Sequence, residues 1–396
     1  MRILALTNLF PNPYQPHRAA FNRQHLRILG TRHAVHVIAP IAWTDELVAR
    51  RRGGDRLPEG RRVTLDGLTV DHPRYLFTPK VLRSHYGNFY LRSVRRTFER
   101  VVDEFRPDII YTPWAYPDGW AAVELGRQAQ LPVVLKVHGS DILLLDQHPK
   151  RRGSTAEALR QADAVVAVSQ DLADRVVALS TAPERVRVVY DGADTQLFHP
   201  GSMSEARARL GLDPSTPILL CIGNLVPVKG QDTLIDACAK LARGGVNFTA
   251  YLIGQGPLRS NLERQAARLG LGDQFQLLGA LPHHQLPDWY RASQVFALPS
   301  HSEGVPNVLL EAAACNTPFV ASRVGGIPEI SDLVPCQLVL PGDATALARA
   351  LGPYLMATEN PNRSAIKPTR DISETAADLE QLFDEVIREY RRRSVA

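Results

Sequence analysis

The sequence predicts an α/β protein made of two similar, doubly wound domains, each with a mostly parallel β-sheet between layers of helices. Its 396 residues exceed what one ordinary hydrophobic core needs. Short apolar runs alternate with helical patterns in both halves, as in parallel sheets covered on both faces. A connector at 194–217, with Pro200 and Pro214, separates the two series. We therefore place the first domain at residues 1–195 and begin the second at 196, and we expect them to face each other across a cleft.

The first half opens as strand, loop, helix and strand, without the Gly-x-Gly-x-x-Gly of a dinucleotide site. A charged loop at 44–62 and a short strand pair near 63–72 follow, and regular alternation resumes at 108. Ligands of such sheets collect at the carboxyl ends of the strands. The polar or aromatic residues after these ends are Trp114, Tyr116, Asp118, His138, Asp141, Ser169 and Asp194. His138 fits a structural or a functional role equally, whereas Asp141 and Ser169 fit helix N-caps better than ligand contacts.

The segment 79–104 carries aromatic and aliphatic residues at near-helical spacing, with basic residues between them. One interpretation is a long helix packed on the sheet. The alternative is a basic, aromatic helix that contacts an anionic membrane or a lipid-linked acceptor.

Composition limits the partners and the location. The net charge is +5 and the pI is about 9.1, which would suit an acidic partner. The basic residues form separate clusters without a zinc-finger or RNA-binding motif, so we expect no nucleic acid partner. The four cysteines stand among apolar or small residues and are expected to be buried, reduced thiols. No apolar run reaches the ~18 residues of a membrane span, and the first residues do not suit a secretory signal, so we expect a cytoplasmic protein.

The most informative stretch of the second half is 301–329, which carries Glu303 and Glu311. Glu303 falls in a loop after an apolar strand, and Pro306 suits the first turn of a helix that bears Glu311. Backbone amides at such a helix start attract anions, and Gly304 allows a ligand to approach the chain closely. Each Glu alone would suit ordinary solvation, but the whole pattern favours a phosphate-bearing ligand with sugar hydroxyls.

Glycine-rich turns follow the other strands of this half, at 223–230, 254–257 and 325–326. The first contains Lys229 but is not a Walker P-loop, because the lysine precedes its glycine and no Ser or Thr follows. Lys229 nevertheless lies at a helix start, where its ammonium and the first amides could hold a phosphate together. Together the turns predict a site for a nucleotide diphosphate.

Four motifs resemble one known family: IGNLVPVKG at 222–230, LIGQGP at 252–257, LPSHSEGVPNVLLEA at 298–312 and SRVGGIPE at 322–329. They are similar to those of the retaining, nucleotide-sugar-dependent glycosyltransferases of family 4, which have the GT-B fold. The stretches TNLFPNPYQPHRAAF, WAYPDGWAA and KVHGSDI resemble the bacterial branch that makes teichuronic-acid-type and exopolysaccharide glycans. The resemblance spans nearly the whole chain. It implies two facing Rossmann-like domains with the nucleotide-sugar site in the cleft, and a last helix at 374–396 that returns to the first domain, so that the second ends at 373.

The resemblance also implies roles for individual residues. The catalytic positions are His138, beside the reacting carbon, Glu303, which contacts the sugar, and Lys229, which holds the donor diphosphate. Glu311 accepts hydrogen bonds from the ribose hydroxyls. The full donor-binding set is Asn224, Lys229, Gly254, Gly256, Leu281, Glu303, Gly304, Val305, Pro306, Asn307, Val308 and Glu311. The acceptor side comprises Arg18, Trp114, Asp118 and Asp141.

Two departures from the family pattern affect these expectations. Asn224 stands where the family commonly has an arginine, which would remove one cation from the diphosphate; Arg18 or Arg323 could replace it. Ala19-Ala20 stands where relatives often carry glycine, and an alanine Cβ hinders close approach to a phosphate.

The predicted reaction is glycosyl transfer from a nucleoside-diphosphate sugar, most readily a UDP-sugar, to a carbohydrate or lipid-linked acceptor hydroxyl. The residues suit front-side attack with retention better than a two-carboxylate glycosidase mechanism. No Asp–Asp metal motif is present, so we expect neither a metal nor another cofactor. We also expect cell-envelope biosynthesis, with contact to anionic lipid at the inner face of the plasma membrane. The alternatives are a catalytically silent donor-binding subunit and a GT-B-fold sugar-nucleotide epimerase or phosphorylase.

Overall fold

A computed structural model describes residues 1–16, 18–53, 57–79, 81–82, 85–147, 149–357 and 369–395. The chain divides into two compact units, Met1–Tyr190 with Ser373–Ala396, and Asp191–Ile372. The division falls after Tyr190 because the next residues bond to the end of the second unit. The amide of Ala193 donates to the carbonyl of Arg370 (3.0 Å), and the amide of Ile372 donates to the carbonyl of Ala193 (2.8 Å). The sequence-based boundary at 195 therefore lies inside the second unit.

The first unit is built on an eight-stranded sheet. Its strands and those of a small separate pair are β1 (Arg2–Leu6), β2 (Ala34–Ile38), β3 (Ile41–Ala42), β4 (Arg62–Leu65), β5 (Leu68–Asp71), β6 (Arg74–Tyr75), β7 (Ile109–Thr112), β8 (Val133–Val137), β9 (Ala164–Ala167) and β10 (Val186–Val188). Its helices are α1 (Ala20–Arg32), α2 (Trp43–Arg51), α3 (Tyr86–Phe105), α4 (Trp120–Ala129), α5 (Ser140–Leu143), α6 (Pro149–Gln161) and α7 (Gln170–Ala178).

The strand order of this sheet is β10-β9-β8-β7-β1-β2-β5-β4, and β3 pairs with β6 apart from it. All neighbours in the large sheet are parallel except β4, which forms an antiparallel hairpin with β5. The direction of winding reverses between β1 and β7, so the loops that follow these two strands leave the sheet side by side.

The second unit contains a six-stranded, fully parallel sheet. Its strands are β11 (Ile218–Ile222), β12 (Thr249–Ile253), β13 (Phe275–Gly279), β14 (Val295–Leu298), β15 (Phe319–Ser322) and β16 (Cys336–Val339). Its helices are α8 (Met203–Leu210), α9 (Gln231–Arg243), α10 (Arg259–Arg268), α11 (Leu286–Ala292), α12 (Asn307–Ala314) and α13 (Ala344–Met356). The order β13-β12-β11-β14-β15-β16 places the reversal between β11 and β14.

The last helix, α14 (Ile372–Val395), joins the first unit. Its apolar residues recur at helical spacing, and Ala376, Leu379, Phe383 and Ile387 are buried in the same core as Ile3 of β1. The helix therefore completes one face of the first sheet.

Three element predictions need correction. The predicted loop at 44–62 contains α2. The helix expected from Pro79 begins at Tyr86, because Leu82 has a left-handed φ of 53° that an α-helix does not tolerate. The helix that bears Glu311 begins at Asn307, so Pro306 is its N-cap residue and does not lie in its first turn.

The interpretation of the 79–104 segment as a helix packed on the sheet is confirmed for α3. Its residues Tyr90, Val94, Phe98 and Val101 are all buried. Lys80 and Arg83, which the membrane interpretation also used, lie outside the described residues.

Candidate active site

The reversal point of the second sheet brings two predicted residues together. The Nζ of Lys229, in the loop after β11, lies 2.6 Å from Oε1 of Glu303, in the loop after β14. The hydroxyl of Ser300 donates to the same carboxylate oxygen at 2.6 Å. The Lys229 side chain is 24% exposed and that of Glu303 is 10% exposed, so the pair is largely buried but still reachable from solvent. A lysine and a glutamate 74 residues apart therefore form one ionic cluster at the place where parallel sheets bind ligands.

The same two loops are joined along their backbones. The amide of His301 donates to the carbonyl of Val228 at 2.8 Å. Gly230 has a φ of 62°, and a Cβ there would lie 2.2 Å from the carbonyl oxygen of Pro299. Only glycine therefore allows the start of α9 to pack against the Glu303 loop.

The donor-binding residues predicted at 304–308 lie at the start of α12. Gly304, Val305 and Pro306 are buried and lead into the helix, whereas Asn307 and Val308 are half-buried in its first turn. No described side chain caps this end, because the N-cap residue is a proline. The first-turn amides and the helix dipole therefore give this end a partial positive charge beside Lys229.

Three glycines of the glycine-rich turns allow loops to pack on one another. A Cβ on Gly254, whose φ is 154°, would lie 1.9 Å from the carbonyl oxygen of Gly223, and one on Gly256 would lie 2.4 Å from that of Leu225. In the loop after β15, a Cβ on Gly325 would lie 1.8 Å from the carbonyl oxygen of Glu303. These glycines set the relative positions of the loops that carry Lys229 and Glu303.

Glu311 is held by two donors that the sequence did not indicate. The Nε2 of His283 lies 2.8 Å from its Oε1, and the hydroxyl of Tyr290 donates to its Oε2 at 2.8 Å. The Glu311 side chain is 10% exposed. His283 follows the carboxyl end of β13, so the rule used for the first half of the chain would have found it. Nothing in the sequence marks Tyr290, which lies inside α11.

Electrostatics links these three groups. Burial disfavours a charged His283, but the hydrogen bond and charge of Glu311, with a contribution from Asp194, outweigh it and raise the pKa of His283 above its usual value. Burial and the Glu311 carboxylate raise the pKa of Tyr290 well above its usual value. Tyr290 therefore remains a proton donor to Glu311 at all physiological pH values.

The remaining predicted residues of this unit, Asn224 and Leu281, occupy loops at the same edge of the sheet. The Asn224 side chain is exposed, and the Asn224 carbonyl accepts a hydrogen bond from the side chain of Gln231 at 2.9 Å. Leu281 is half-buried, two residues before His283. Arg323 is exposed in the loop that contains Gly325.

In the first unit, Asp118 is a buried anchor of the loop that follows β1. It accepts hydrogen bonds from the Thr7 hydroxyl (3.1 Å), the Asn8 amide (2.7 Å) and the Asn8 side chain (2.8 Å). Burial raises the pKa of Asp118 to about 7, against the lowering effect of these donors. Arg18 belongs to the same loop, where its guanidinium donates to the Asn8 carbonyl at 2.9 Å and to the Gln15 side chain at 2.8 Å.

Asp141 is likewise a buried anchor. Its Oδ1 accepts from the amides of His138 (3.1 Å) and Gly139 (2.9 Å), and its Oδ2 accepts from the amide of Ala115 at 3.4 Å. Burial raises the pKa of Asp141 to about 6. Its expected role as a helix N-cap is wrong, because Gly139 is the N-cap residue of α5. Ser169 does cap α7, by accepting from the amide of Leu172 at 3.2 Å.

His138 and Trp114 follow adjacent strands, β8 and β7. The His138 ring is half-buried and packs against Phe21 at 4.9 Å between ring centroids. Trp114 is half-buried, and its backbone carbonyl accepts a hydrogen bond from the amide of Gly119 at 2.9 Å. Asp141 therefore fixes the backbone at His138 and also the turn that follows Trp114.

Two further features concern partners. Among the described residues, no group of three or more His, Cys, Asp and Glu side chains is arranged to hold a metal ion. In the same part of the chain, no helix is both long enough and apolar enough to cross a membrane. The four cysteines form no disulfide with one another; Cys221, Cys238 and Cys315 are buried and Cys336 is half-buried.

Comparison with known proteins agrees with this architecture. Residues 202–371 match the family described as glycosyl transferases group 1, and residues 24–197 match glycosyltransferase family 4. The chain is 34% identical to D-inositol 3-phosphate glycosyltransferase 1 of Catenulispora acidiphila over 338 residues, which cover 74% of this chain and 81% of the relative. It is 29% identical to the glycosyltransferase TuaC of Bacillus subtilis strain 168, which is assigned to teichuronic acid biosynthesis, over 89% of both chains.

Solved structures show the same fold. Sucrose-phosphate synthase from Thermosynechococcus elongatus matches with a TM-score of 0.78 at 19% identity, over 98% of this chain and 99% of that chain. HepE from Anabaena in complex with UDP-glucose matches with a TM-score of 0.71 at 20% identity, over 100% and 99% of the two chains. With the motifs, the two doubly wound units and the identity to the inositol-phosphate enzyme, these matches show that the chain belongs to the family 4 glycosyltransferases of GT-B fold.

Proposed function

We propose that this glycosyltransferase moves a sugar from a UDP-sugar to a hydroxyl of a carbohydrate or lipid-linked acceptor, with retention, in the synthesis of a cell-envelope glycan. One observation carries the proposal: Lys229 and Glu303 meet at 2.6 Å beside the uncapped start of α12. A cation, a set of backbone amides and a carboxylate are the groups that suit a sugar diphosphate, and this supports the proposal.

The names of the similar proteins support the choice of substrates. HepE binds UDP and UDP-glucose, which favours a uridine donor. The inositol-phosphate and teichuronic-acid enzymes favour a polar, anionic acceptor from cell-envelope metabolism. A cytoplasmic enzyme at the inner face of the plasma membrane would meet both substrates.

We assign the donor contacts as follows. Lys229 exchanges Glu303 for the donor diphosphate, and the released Glu303 carboxylate accepts hydrogen bonds from the hydroxyls of the transferred sugar. The amides at 304–308 bind sugar and phosphate oxygens, and Glu311 binds the ribose. Since Lys229 and Glu303 neutralise each other before the donor arrives, neither is left as an isolated charge near the surface.

The proposed chemical step is a front-side displacement. The bond between the anomeric carbon and the diphosphate oxygen breaks with its electron pair going to the diphosphate. The acceptor oxygen bonds to the same face of the carbon, and its proton passes to the departing phosphate oxygen. Lys229 and the α12 amides stabilise the negative charge that develops on the diphosphate. We assign His138 a role in turnover, and no metal or other cofactor takes part.

Asn224 leaves this site one cation short of the family pattern, and we propose Arg323 as the replacement. Arg323 is exposed two residues before Gly325, whose loop packs on Glu303. Arg18 suits this role less well, because its guanidinium is already hydrogen-bonded within its own loop. If Arg323→Ala leaves UDP affinity unchanged, the replacement is not Arg323.

The test is calorimetric titration with UDP, GDP and ADP, followed by hydrolysis and transfer assays with the matching sugar nucleotides in EDTA. Lys229→Ala should weaken UDP binding about 10- to 150-fold, because a hydrogen bond to a charged group contributes about 1.5–3 kcal/mol. Glu311→Ala should lose affinity, whereas His138→Ala should lose turnover. Lys240→Ala is the matched control, since Lys240 is exposed on α9 and contacts neither Glu303 nor Ser300.

Each outcome is diagnostic. Binding of none of the three nucleotides would refute the assignment of the site. Clear binding without donor hydrolysis or transfer would favour the silent subunit, an alternative that Asn224 motivates. Loss of activity in EDTA that Mg²⁺ restores would refute metal independence.

We propose that the segment before α3 contacts the membrane. Leu76, Val81 and Leu82, three large apolar residues of one short segment, are 56%, 61% and 53% exposed. The amide of Leu76 donates to the Ser93 hydroxyl on α3 at 3.0 Å. The exposed Arg92 and Arg96 of α3 are neighbours of Ser93 along the helix. Apolar side chains flanked by arginines suit the interface of an anionic bilayer.

A flotation assay with vesicles of phosphatidylglycerol and phosphatidylcholine tests this contact at low salt. The wild type should float with the vesicles, and Val81→Asp with Leu82→Asp should not. Leu340→Asp, at an exposed apolar residue of the second unit, is the matched control and should float like the wild type. Wild-type protein that stays with the free protein fraction would refute the membrane contact.

A further inference from the structure

His283 is a polar residue of the donor site that the family motifs do not contain. It lies in the turn between β13 and α11, and its Nε2 is 2.8 Å from Oε1 of Glu311. The hydroxyl of Tyr290, which lies in the following helix α11, donates to the other oxygen of the same carboxylate at 2.8 Å. Among the residues that the structure describes, each Glu311 oxygen therefore has one side-chain donor.

This arrangement leaves acceptor capacity for a ligand. An ionised carboxylate offers about four acceptor sites, and two donors occupy one site on each oxygen. The Glu311 side chain is 10% exposed, so a small part of it remains accessible. With both oxygens held from the protein side, the accessible acceptor sites keep a fixed direction. Two such sites suit the two hydroxyls of a ribose.

Packing holds His283 itself in place. The Phe198 ring lies edge-on to the His283 ring, with 4.9 Å between centroids, and also contacts Tyr290 at 5.9 Å. Phe198 is only 1% exposed, so it offers a rigid surface. The pKa of His283 is raised because Glu311 and Asp194 outweigh the effect of burial, which agrees with a stable contact to an ionised Glu311. A neighbouring histidine, His284, is exposed and takes no part.

We propose that His283 is a positioning residue of the donor site: it fixes the Glu311 carboxylate for the ribose hydroxyls and so makes the enzyme prefer ribonucleotides to deoxyribonucleotides. This proposal rests on the proposed function, in which Glu311 binds the ribose. It adds His283 to the residues through which the protein distinguishes ribose from deoxyribose in the nucleotide.

The test compares UDP with 2′-deoxy-UDP and 3′-deoxy-UDP by calorimetric titration of the full chain. In the wild type, UDP should bind more tightly than both deoxy analogues. His283→Ala should weaken UDP binding about tenfold, which corresponds to about 1.4 kcal/mol, and should weaken each deoxy analogue, which keeps one of the two hydroxyls, less than UDP. His283→Gln, whose amide can still donate to Glu311, should recover much of the difference. His284→Ala is the matched control and should behave like the wild type.

The outcomes separate the two proposals. If the wild type binds none of UDP, GDP and ADP, the proposed function fails. If UDP binds but is not preferred to either deoxy analogue, Glu311 does not bind the ribose, and the role of His283 falls with it. If His283→Ala or His283→Gln weakens all three uridine nucleotides equally, or changes none of them, His283 has no positioning role. Thermal unfolding of each variant shows whether it is folded, and His283→Gln carries the test if His283→Ala is not.

Discussion

The most direct prediction concerns Gly325, which lies against the loop that carries Glu303. Its φ is 51°, and a Cβ at this position would lie 1.8 Å from the Glu303 carbonyl oxygen. In Gly325→Ala, relief of this clash requires one loop to move until the separation reaches about 3.4 Å, an ordinary contact distance. The backbone at Glu303 or at Gly325 must therefore shift by roughly 1.6 Å, the difference between these two separations.

Two energies follow from this geometry. An alanine in the left-handed region costs about 1–2 kcal/mol more than glycine. The loop shift displaces Glu303, and a displacement of about 1 Å at a reacting group can reduce turnover about 100-fold. We therefore expect Gly325→Ala to lower the unfolding temperature and to reduce sugar transfer about 100-fold.

Gly272→Ala is a matched control that separates strain from the clash. Gly272 has nearly the same φ, 49°, but nothing lies within 4 Å of the Cβ it would gain. Gly272→Ala should lose about the same 1–2 kcal/mol in free energy of unfolding as Gly325→Ala, and it should keep its transfer activity. Both variants are compared by thermal unfolding and by the initial rate of sugar transfer at saturating donor. Equal transfer rates in the two variants would show that the Gly325 loop does not position Glu303.

The remaining predictions concern ionisable groups. The pKa of Asp118 is raised to about 7, so the folded state favours the protonated carboxyl. The contribution of this group to the free energy of unfolding is fully present below pH 4 and is lost as the pH rises through about 7. Denaturant unfolding should show that the free energy of unfolding of the wild type falls by up to about 4 kcal/mol across this pH range, and by less in Asp118→Asn. Equal pH dependence of the two proteins would contradict the raised pKa of Asp118. Burial raises the pKa of Cys221 to about 12 and that of the half-buried Cys336 to about 11. Titration with Ellman's reagent at pH 8 should therefore modify Cys336 first and slowly, and rapid modification of Cys221 in the folded protein would contradict its burial.

The general plan of the molecule was predictable because hydrophobic periodicity depends on local sequence. The alternation of apolar strands and amphipathic helices indicates doubly wound sheets, and the fold confirms this. Boundaries were less predictable where the apolar signal was weak. The helix α2 was missed because its residues are mostly polar, and the segment before α3 was included in that helix because the left-handed φ of Leu82 has no sequence signature.

The residues that we propose for the donor side could be picked out from the sequence, but the side chains that they contact could not. Lys229 and Glu303 were identified from their positions after strands, yet their contact depends on β11 lying next to β14. Asp118 and Asp141 were expected near a ligand. The structure shows them as buried anchors that accept hydrogen bonds from neighbouring loops.

The sequence by itself determined the two α/β units, the family, and the positions of the two glutamates around the start of α12. These features follow from residue order, because helical spacing and turn chemistry act over a few residues. Only the tertiary structure decided that His283 and Tyr290 hold Glu311, and that Gly325 lies against Glu303. Those contacts join residues that are distant in the chain, since strand order brings the loops at the carboxyl edge of the sheet together.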